Sequence, residues 1–185
     1  MARFVAAVDV REVDSSIASL VATAMGPDGD LVSARMARGC RCFGAWLGDE
    51  LAGYGWLSTK PEWIGELELT ITPRAGEGYI WNCFTLEQFR RRGVLRALLA
   101  GITERSHDER LSRLWIGSVA IPAERAFGPS GFTPVLHFAS ELIAGYRWLQ
   151  VQSAPGAGPT LAEAAHQRVG VPSGRFLRLS RQRRH

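Results

Sequence analysis

The residues best suited to chemistry lie in one short stretch, Arg90-Arg91-Arg92-Gly93-Val94-Leu95-Arg96, between a strand-like run and a helix-like run. A helix that starts directly after a strand points its unpaired backbone N–H groups and the positive end of its dipole outward, which suits an anion such as a diphosphate. Gly93 would let the backbone approach that anion closely, and Arg91, Arg92 and Arg96 would add charge and fork-shaped donors. The same residues could simply solvate a helix entry with a glycine at its turn, and spacing alone does not separate the two readings.

The elements that must position this stretch follow from the pattern on either side. Tyr79 to Leu86, rich in aromatic and β-branched residues, predicts the strand before it. Val94, Leu95, Leu98, Leu99 and Ile102 predict the apolar stripe of the helix after it. Upstream, Phe4 to Val10 reads as a first strand. Val13, Ile17, Leu20, Val21 and Ala24 read as a helix capped by Asp14 or Ser15 and ended at Gly26-Pro27, and Asp30 to Arg38 as a second helix stopped at Gly39. Cys40 to Leu47 and Leu51 to Ser58, around Gly48-Asp49-Glu50, read as a hairpin. Gly44, Gly53 and Gly55 would weaken it unless something packs closely there. Glu66 to Thr72 alternates as a further strand, with Glu66 and Glu68 on one face.

Downstream, Leu114 to Val119 predicts a buried strand, Ala123 to Phe127 a short helix, and Thr133 to Val151 two strands turning near Ala144-Gly145. Ser153 to Pro159 reads as a linker, followed by a short helix from Thr160 to Val169 and an arginine-rich end. The organisation expected is therefore a main domain over 1–152 and a linker, helix and basic tail over 153–185.

Composition narrows the classes. At 185 residues and 46% apolar, the chain can bury one core but not two ordinary ones. No stretch approaches the roughly 18 uninterrupted apolar residues of a membrane span. Cys40, Cys42 and Cys83 are an odd set, which favours free thiols in a reducing, cytoplasmic setting over a disulfide framework, and they lack the second pair expected of a zinc site. The net charge of +4 owes most to Arg175, Arg178, Arg181, Arg183 and Arg184; without them the chain is close to neutral. A solvated end is the common meaning of such a run, and nucleic-acid binding the less common one.

Two helices, a hairpin, a strand running into Thr85-Leu86-Glu87-Gln88-Phe89-Arg90-Arg91-Arg92-Gly93-Val94, a helix, a strand, a short helix and the exit Gly131-Phe132 together resemble the GNAT acetyltransferases over about Phe4 to Val151. The resemblance implies an α/β fold with a mixed central sheet flanked by helices, its fourth and fifth strands splayed around acetyl-CoA or another acyl-CoA. Arg90 and Gly93 match that family's loop, while Leu95 stands where a second small residue is usual. It implies that the amides from Arg91 to Arg96 (Arg91, Arg92, Gly93, Val94, Leu95 and Arg96) hold the diphosphate. It also implies that the main chain of Cys83, Phe84 and Thr85 pairs with the pantetheine arm as an added strand would.

The implied reaction is attack of a neutral amine on the thioester carbonyl. Glu77, two residues before Tyr79 where some relatives place a base, is the candidate general base, against a reading as a solvated turn carboxylate. Trp81 and Glu68 are candidates for acceptor binding. Phe127 occupies the position of a proton-donating tyrosine, and no asparagine occurs around Ala120-Ile121. Expected partners are an amine acceptor, on a small molecule or a protein, and a second copy of the chain in a homodimer; neither membrane nor metal is expected. Two rival readings are a CoA-binding module without turnover and a nucleic-acid-associated protein acting through its arginine tail.

Overall fold

The computed structural model describes residues 8–118 and 121–180, with side chains omitted for residues 121–123. In chain order the elements begin with β1 (Asp9–Glu12), α1 (Ala18–Met25), α2 (Leu31–Ala37), β2 (Arg41–Leu47), β3 (Glu50–Ser58), β4 (Glu62–Ile64), β5 (Leu69–Ile71) and β6 (Glu77–Thr85). They continue with α3 (Val94–Asp108), β7 (Arg113–Ile116), α4 (Ile121–Phe127), β8 (Leu136–Ile143), β9 (Tyr146–Ser153), α5 (Pro159–Val169) and β10 (Gly174–Leu179). Two compact units result, one of Met1–Lys60 with Ala75–Gly131 and one of Pro61–Arg74 with Phe132–His185.

The first unit holds a five-stranded sheet in the order β1-β2-β3-β6-β7. Every pair is antiparallel except β6 with β7, so the sheet is mixed, and β6 and β7 are its fourth and fifth strands. Helix α3 buries Val94, Leu98, Leu99 and Ile102 almost completely, each contributing about 1.5–3 kcal/mol of apolar burial. On its other side the sheet packs Cys42, Tyr54 and Trp56 with Val21 and Met25 of α1 and Val32 of α2. The hairpin glycines have a packing reason: a Cβ on Gly55 would meet Cys83 Sγ and Leu98, and one on Gly53 would meet the Phe84 carbonyl oxygen.

Several boundaries differ from expectation. The Phe4–Val10 strand is found only from Asp9, and residues 4–7 lie outside the described residues. Helix α1 starts at Ala18 rather than near Val13, because the Asp14 carboxylate accepts the Ser16 N–H (2.8 Å) and hydroxyl and closes a turn first. The strand expected over Leu114–Val119 is β7, ending at Ile116, and Val119 lies outside the described residues.

The second unit is a three-stranded antiparallel sheet, β10-β9-β8, with the β4–β5 hairpin and α5. Arg147, Leu149 and Val151 of β9 point inward, and α5 buries Ala162, Ala165 and Val169. Of the strand expected over Glu66 to Thr72 only β5 is strand; it is the second arm of the β4–β5 hairpin, whose turn contains Glu68 at a left-handed φ of 51°. The expected division at 152 falls inside β9. The helix expected over Thr160 to Val169 is α5, while the stretch expected to be a basic tail carries β10, which pairs along β9 from Gly174 to Leu179. Arg181, Arg183 and Arg184 lie outside the described residues. Among the described residues no helix is long and apolar enough to cross a membrane.

Candidate active site

The loop from Arg90 to Gly93 has the backbone of an anion cradle. Arg91 (φ 61°) and Gly93 (φ 79°) are left-handed while Arg92 between them is not, and such alternation turns successive N–H groups toward one concavity. Gly93 is also the N-cap of α3, and the first turn of that helix has neither a side-chain cap nor an acidic residue. Its leading N–H groups are therefore left for a ligand. The mouth is open, since a Cβ built on Gly93 would meet nothing within 4 Å. Arg91, Arg92 and Arg96 are exposed around it, Val94 is buried into the core, and Leu95 is half-buried. Arg90 is turned back over the end of β6, its guanidinium 5.8 Å from the Phe84 ring and its Nε donating to the Thr85 carbonyl at 3.4 Å.

The sheet parts beside this mouth. Strand β6 pairs with β7 only from Glu77 to Ile80, against Arg113 to Ile116, and from Trp81 to Thr85 that edge has no strand partner among the described residues. Because alternate residues of a strand aim N–H and C=O to opposite sides, part of the Trp81–Thr85 main chain faces the gap. The other edge of β6 stays paired with β3, but with a one-residue bulge: Tyr54 opposes Phe84 and Trp56 opposes Trp81. Asn82 sits in this bulge at φ 45°, a conformation asparagine tolerates better than most residues.

Cys83 presents its sulfur to the α3 side, near Leu98 and Ile102, and burial pushes the thiol up to about 12. Cys42, fully buried on the other side, is raised to about 12 for the same reason. All three cysteines are free thiols. Phe84 stacks on Tyr54 with centroids 5.8 Å apart, and its exposed side helps line an open apolar groove of about 410 Å³ with Leu20, Ala24, Leu51 and Leu86.

Glu77 lies at the opposite end of β6 from the loop. It is neither a solvated turn carboxylate nor open to a ligand: the residue is 5% exposed, and Oε2 accepts from the Trp115 indole N–H at 3.0 Å. Oε1 accepts from Arg113 at 3.3 Å. Six residues separate Glu77 from Cys83, about 20 Å of strand at roughly 3.3 Å per residue. In this structure the Glu77 carboxylate ties the closed half of the β6–β7 pair together through Trp115 and Arg113.

Glu68, the expected acceptor-binding carboxylate, is engaged within the fold. In the second unit it is 8% exposed, 3.4 Å from Arg147, and accepts a hydrogen bond from the Ser180 hydroxyl, so its charge is spent on internal packing. Trp81 is placed on the parted half of β6 but faces α2, its ring 4.4 Å from the Arg35 guanidinium and 6.2 Å from Trp56. Phe127 ends α4, and of the Ala120-Ile121 pair Ala120 lies outside the described residues while Ile121 begins the helix. Two residues that sequence reasoning missed are Arg35 and Asn82, which meet at the bulge although 47 positions apart. The arginine within the helical stretch of α2 was the one signal available; the bulge at Asn82 leaves none in the sequence.

A mixed sheet that parts beside an uncapped, arginine-flanked helix start defines a class of α/β fold able to hold an extended, phosphate-bearing ligand between two strands. The chain belongs to the acetyltransferase (GNAT) family, whose profile matches residues 17–128, more than half of the sequence. Among solved structures, a ribosomal-protein-alanine N-acetyltransferase from Brucella melitensis biovar Abortus 2308 is 17% identical, with a TM-score of 0.55 over 74% of this chain and 98% of that one. An acetyltransferase of Bacillus subtilis in complex with CoA is 19% identical, with a TM-score of 0.52 over 72% and 78%. AAC(6')-Iy, in complex with the bisubstrate analogue CoA-S-monomethyl-acetylneamine, is 16% identical, with a TM-score of 0.53 over 69% and 91%. At such identities the likeness is one of fold. No curated protein sequence gives a match.

Proposed function

We propose that this chain is an acyl-CoA-dependent N-acyltransferase that moves an acetyl group to a primary amine of a small molecule or a protein. The observation that carries the reading is the open, uncapped mouth of α3 at Gly93 next to the unpaired edge of β6 from Trp81 to Thr85. The amides of Arg91 to Arg96 take the diphosphate, assisted by Arg91, Arg92 and Arg96. The main chain of Cys83, Phe84 and Thr85, along the edge of β6 away from β3, takes the pantetheine arm by strand-like pairing.

In the reaction the amine nitrogen bonds to the thioester carbonyl carbon, the carbon–sulfur bond breaks, and its electron pair leaves as CoA thiolate. Main-chain N–H groups beside the bulge meet the developing oxyanion. The amine proton passes to solvent. CoA thiolate leaves without obligatory protonation, so a phenylalanine at 127 is compatible with turnover.

A second reading, a CoA-binding module without turnover, is favoured by Phe127 and by the engagement of Glu77 with Trp115. Calorimetric titration with acetyl-CoA is expected to show micromolar binding, and thiol release across a panel of primary amines to show turnover. Binding without release for any amine would select the second reading; no binding at high micromolar acetyl-CoA would end both.

A further inference from the structure

Arg35, near the end of α2, is 8% exposed, and no carboxylate pairs with it among the described residues. A buried cation is expensive unless fully engaged, and an apolar side chain of similar volume would commonly serve packing better. Its engagements are specific. The guanidinium carbon lies 5.1 Å from the Trp56 ring centre and 4.4 Å from that of Trp81, so the cation is held by two indole faces. Nη1 also approaches Met25 Sδ at 4.0 Å. The oxygen it serves is the side-chain carbonyl of Asn82, which, oriented as its donors dictate, accepts from Nη1 at 3.0 Å and Nη2 at 3.2 Å.

Asn82 is the left-handed residue of the β6 bulge, where the strand has parted from β7. A bulge re-aims the backbone around it, and here that backbone borders the gap. Left to itself, an extra residue on an edge with one neighbour has several ways to lie. A planar fork bonded twice to one oxygen, itself clamped between two rings, leaves it one. Lysine could offer the charge but neither the fork nor the stacking.

We infer that Arg35 is a positioning residue for acyl transfer: gripping the Asn82 side chain, it fixes the bulge and hence the direction from which the free N–H groups of β6 meet the thioester carbonyl. The inference rests on the acyl-CoA reading above.

The test reads the carbonyl itself. Infrared spectra of [1-13C]acetyl-CoA bound to the wild-type protein are expected to show the C=O stretch below its value in solution. Asn82→Gly keeps the left-handed backbone but loses the grip, and because Arg35 then lacks its acceptor the melting temperature is read beside the spectrum, an intact transition being required. The variant is expected to return the stretch toward the free value and to lower kcat with amine by up to about 100-fold, the scale of an ångström's misplacement. CoA affinity should stay within about threefold, since the diphosphate cradle lies elsewhere. Arg35→Lys should behave in the same way, and Asn82→Asp, which keeps the acceptor, should retain the shift. An unmoved stretch in both Asn82→Gly and Arg35→Lys would overturn the inference, as would a loss of CoA binding in step with the loss of shift, which marks a merely structural role. If wild type binds no acetyl-CoA, the parent reading fails and the inference with it; if it binds and the variants keep the shift, only the inference falls.

Discussion

The two halves of β6 share one strand and have opposite chemistry. From Glu77 to Ile80 it is paired with β7, from Tyr79 with β3 as well, and its one carboxylate is closed off by Trp115 and Arg113. From Trp81 to Thr85 one edge is bare, the backbone carries a bulge, and the strand runs toward an open helix mouth. The closed half is held by side chains and the open half offers main chain. The carboxylate of β6 thus lies in the half that side chains close, away from the half that offers main chain.

The largest effect is expected where the open half meets the helix. Gly93 is left-handed at φ 79°, which costs a non-glycine residue about 1–2 kcal/mol, and its missing Cβ leaves clear the space an anion would enter. Gly93→Val is expected to weaken acetyl-CoA binding by about tenfold or more by calorimetry, because the valine side chain enters the anion's space and a loop that relaxes its strain when empty must take it up again on binding, 1.4 kcal/mol being a factor of ten. An affinity within twofold of wild type would remove the loop from the binding site.

Glu77→Gln is the converse, with a large effect on stability and a small one on turnover. The substitution keeps an oxygen for Trp115 but discards the charge facing Arg113, whose side chain is 41% exposed. Glu77→Ala leaves the buried Trp115 N–H without an acceptor, at about 1–3 kcal/mol. For a chain of this size each kcal/mol is worth roughly 2–4 °C of melting temperature, so calorimetry should resolve the order wild type, Gln, Ala. Turnover at saturating amine should stay within about threefold in both. A loss of kcat of about 100-fold with an unchanged melting temperature would restore Glu77 as the base and dissolve the contrast between the halves.

The sequence made the elements legible wherever a period ran long enough. The 40–58 hairpin, the α3 stripe and the Arg90–Gly93 loop are local patterns, and the structure keeps all three. Pairings made across the chain were not legible. Glu77 meets Trp115 only because a parallel register sets Tyr79 opposite Trp115, and no local signal carries that. Arg35 reaches Asn82 through a bulge that alternation cannot show, since one extra residue breaks the period it relies on. Glu66 to Thr72 alternates, yet a left-handed Glu68 folds it into a turn. In Arg175-Phe176-Leu177-Arg178-Leu179 the strand period was hidden by charge, and β10 proves to be an edge strand, where arginines are at home.

The smallest effect tests whether the open half works through its main chain. Cys83 borders the gap by its backbone while its sulfur faces Leu98 and Ile102, so Cys83→Ala is expected to change CoA affinity by less than about twofold, as strand-like pairing requires. A larger loss would mean that the side chain touches the ligand. The same burial makes a pH prediction. The Cys42 and Cys83 thiols ordinarily titrate near 9 and the Tyr54 phenol near 10, and in the fold burial raises all three to about 12. Above pH 9 the unfolded chain therefore gives up these protons before the folded one, and stability falls as pH climbs from 9 through 12. Below 9 the three groups are protonated in both states and contribute no slope. Melting temperature against pH should be flat from these groups up to 9 and decline beyond it, less steeply in Cys83→Ala. At pH 8 the native thiols should resist iodoacetamide, because the thiolate is the reacting form, and label fully once the chain is unfolded. Fast labelling of Cys83 in the native protein would place its sulfur in the gap, and the open half of β6 would then present a side chain where main chain alone is expected.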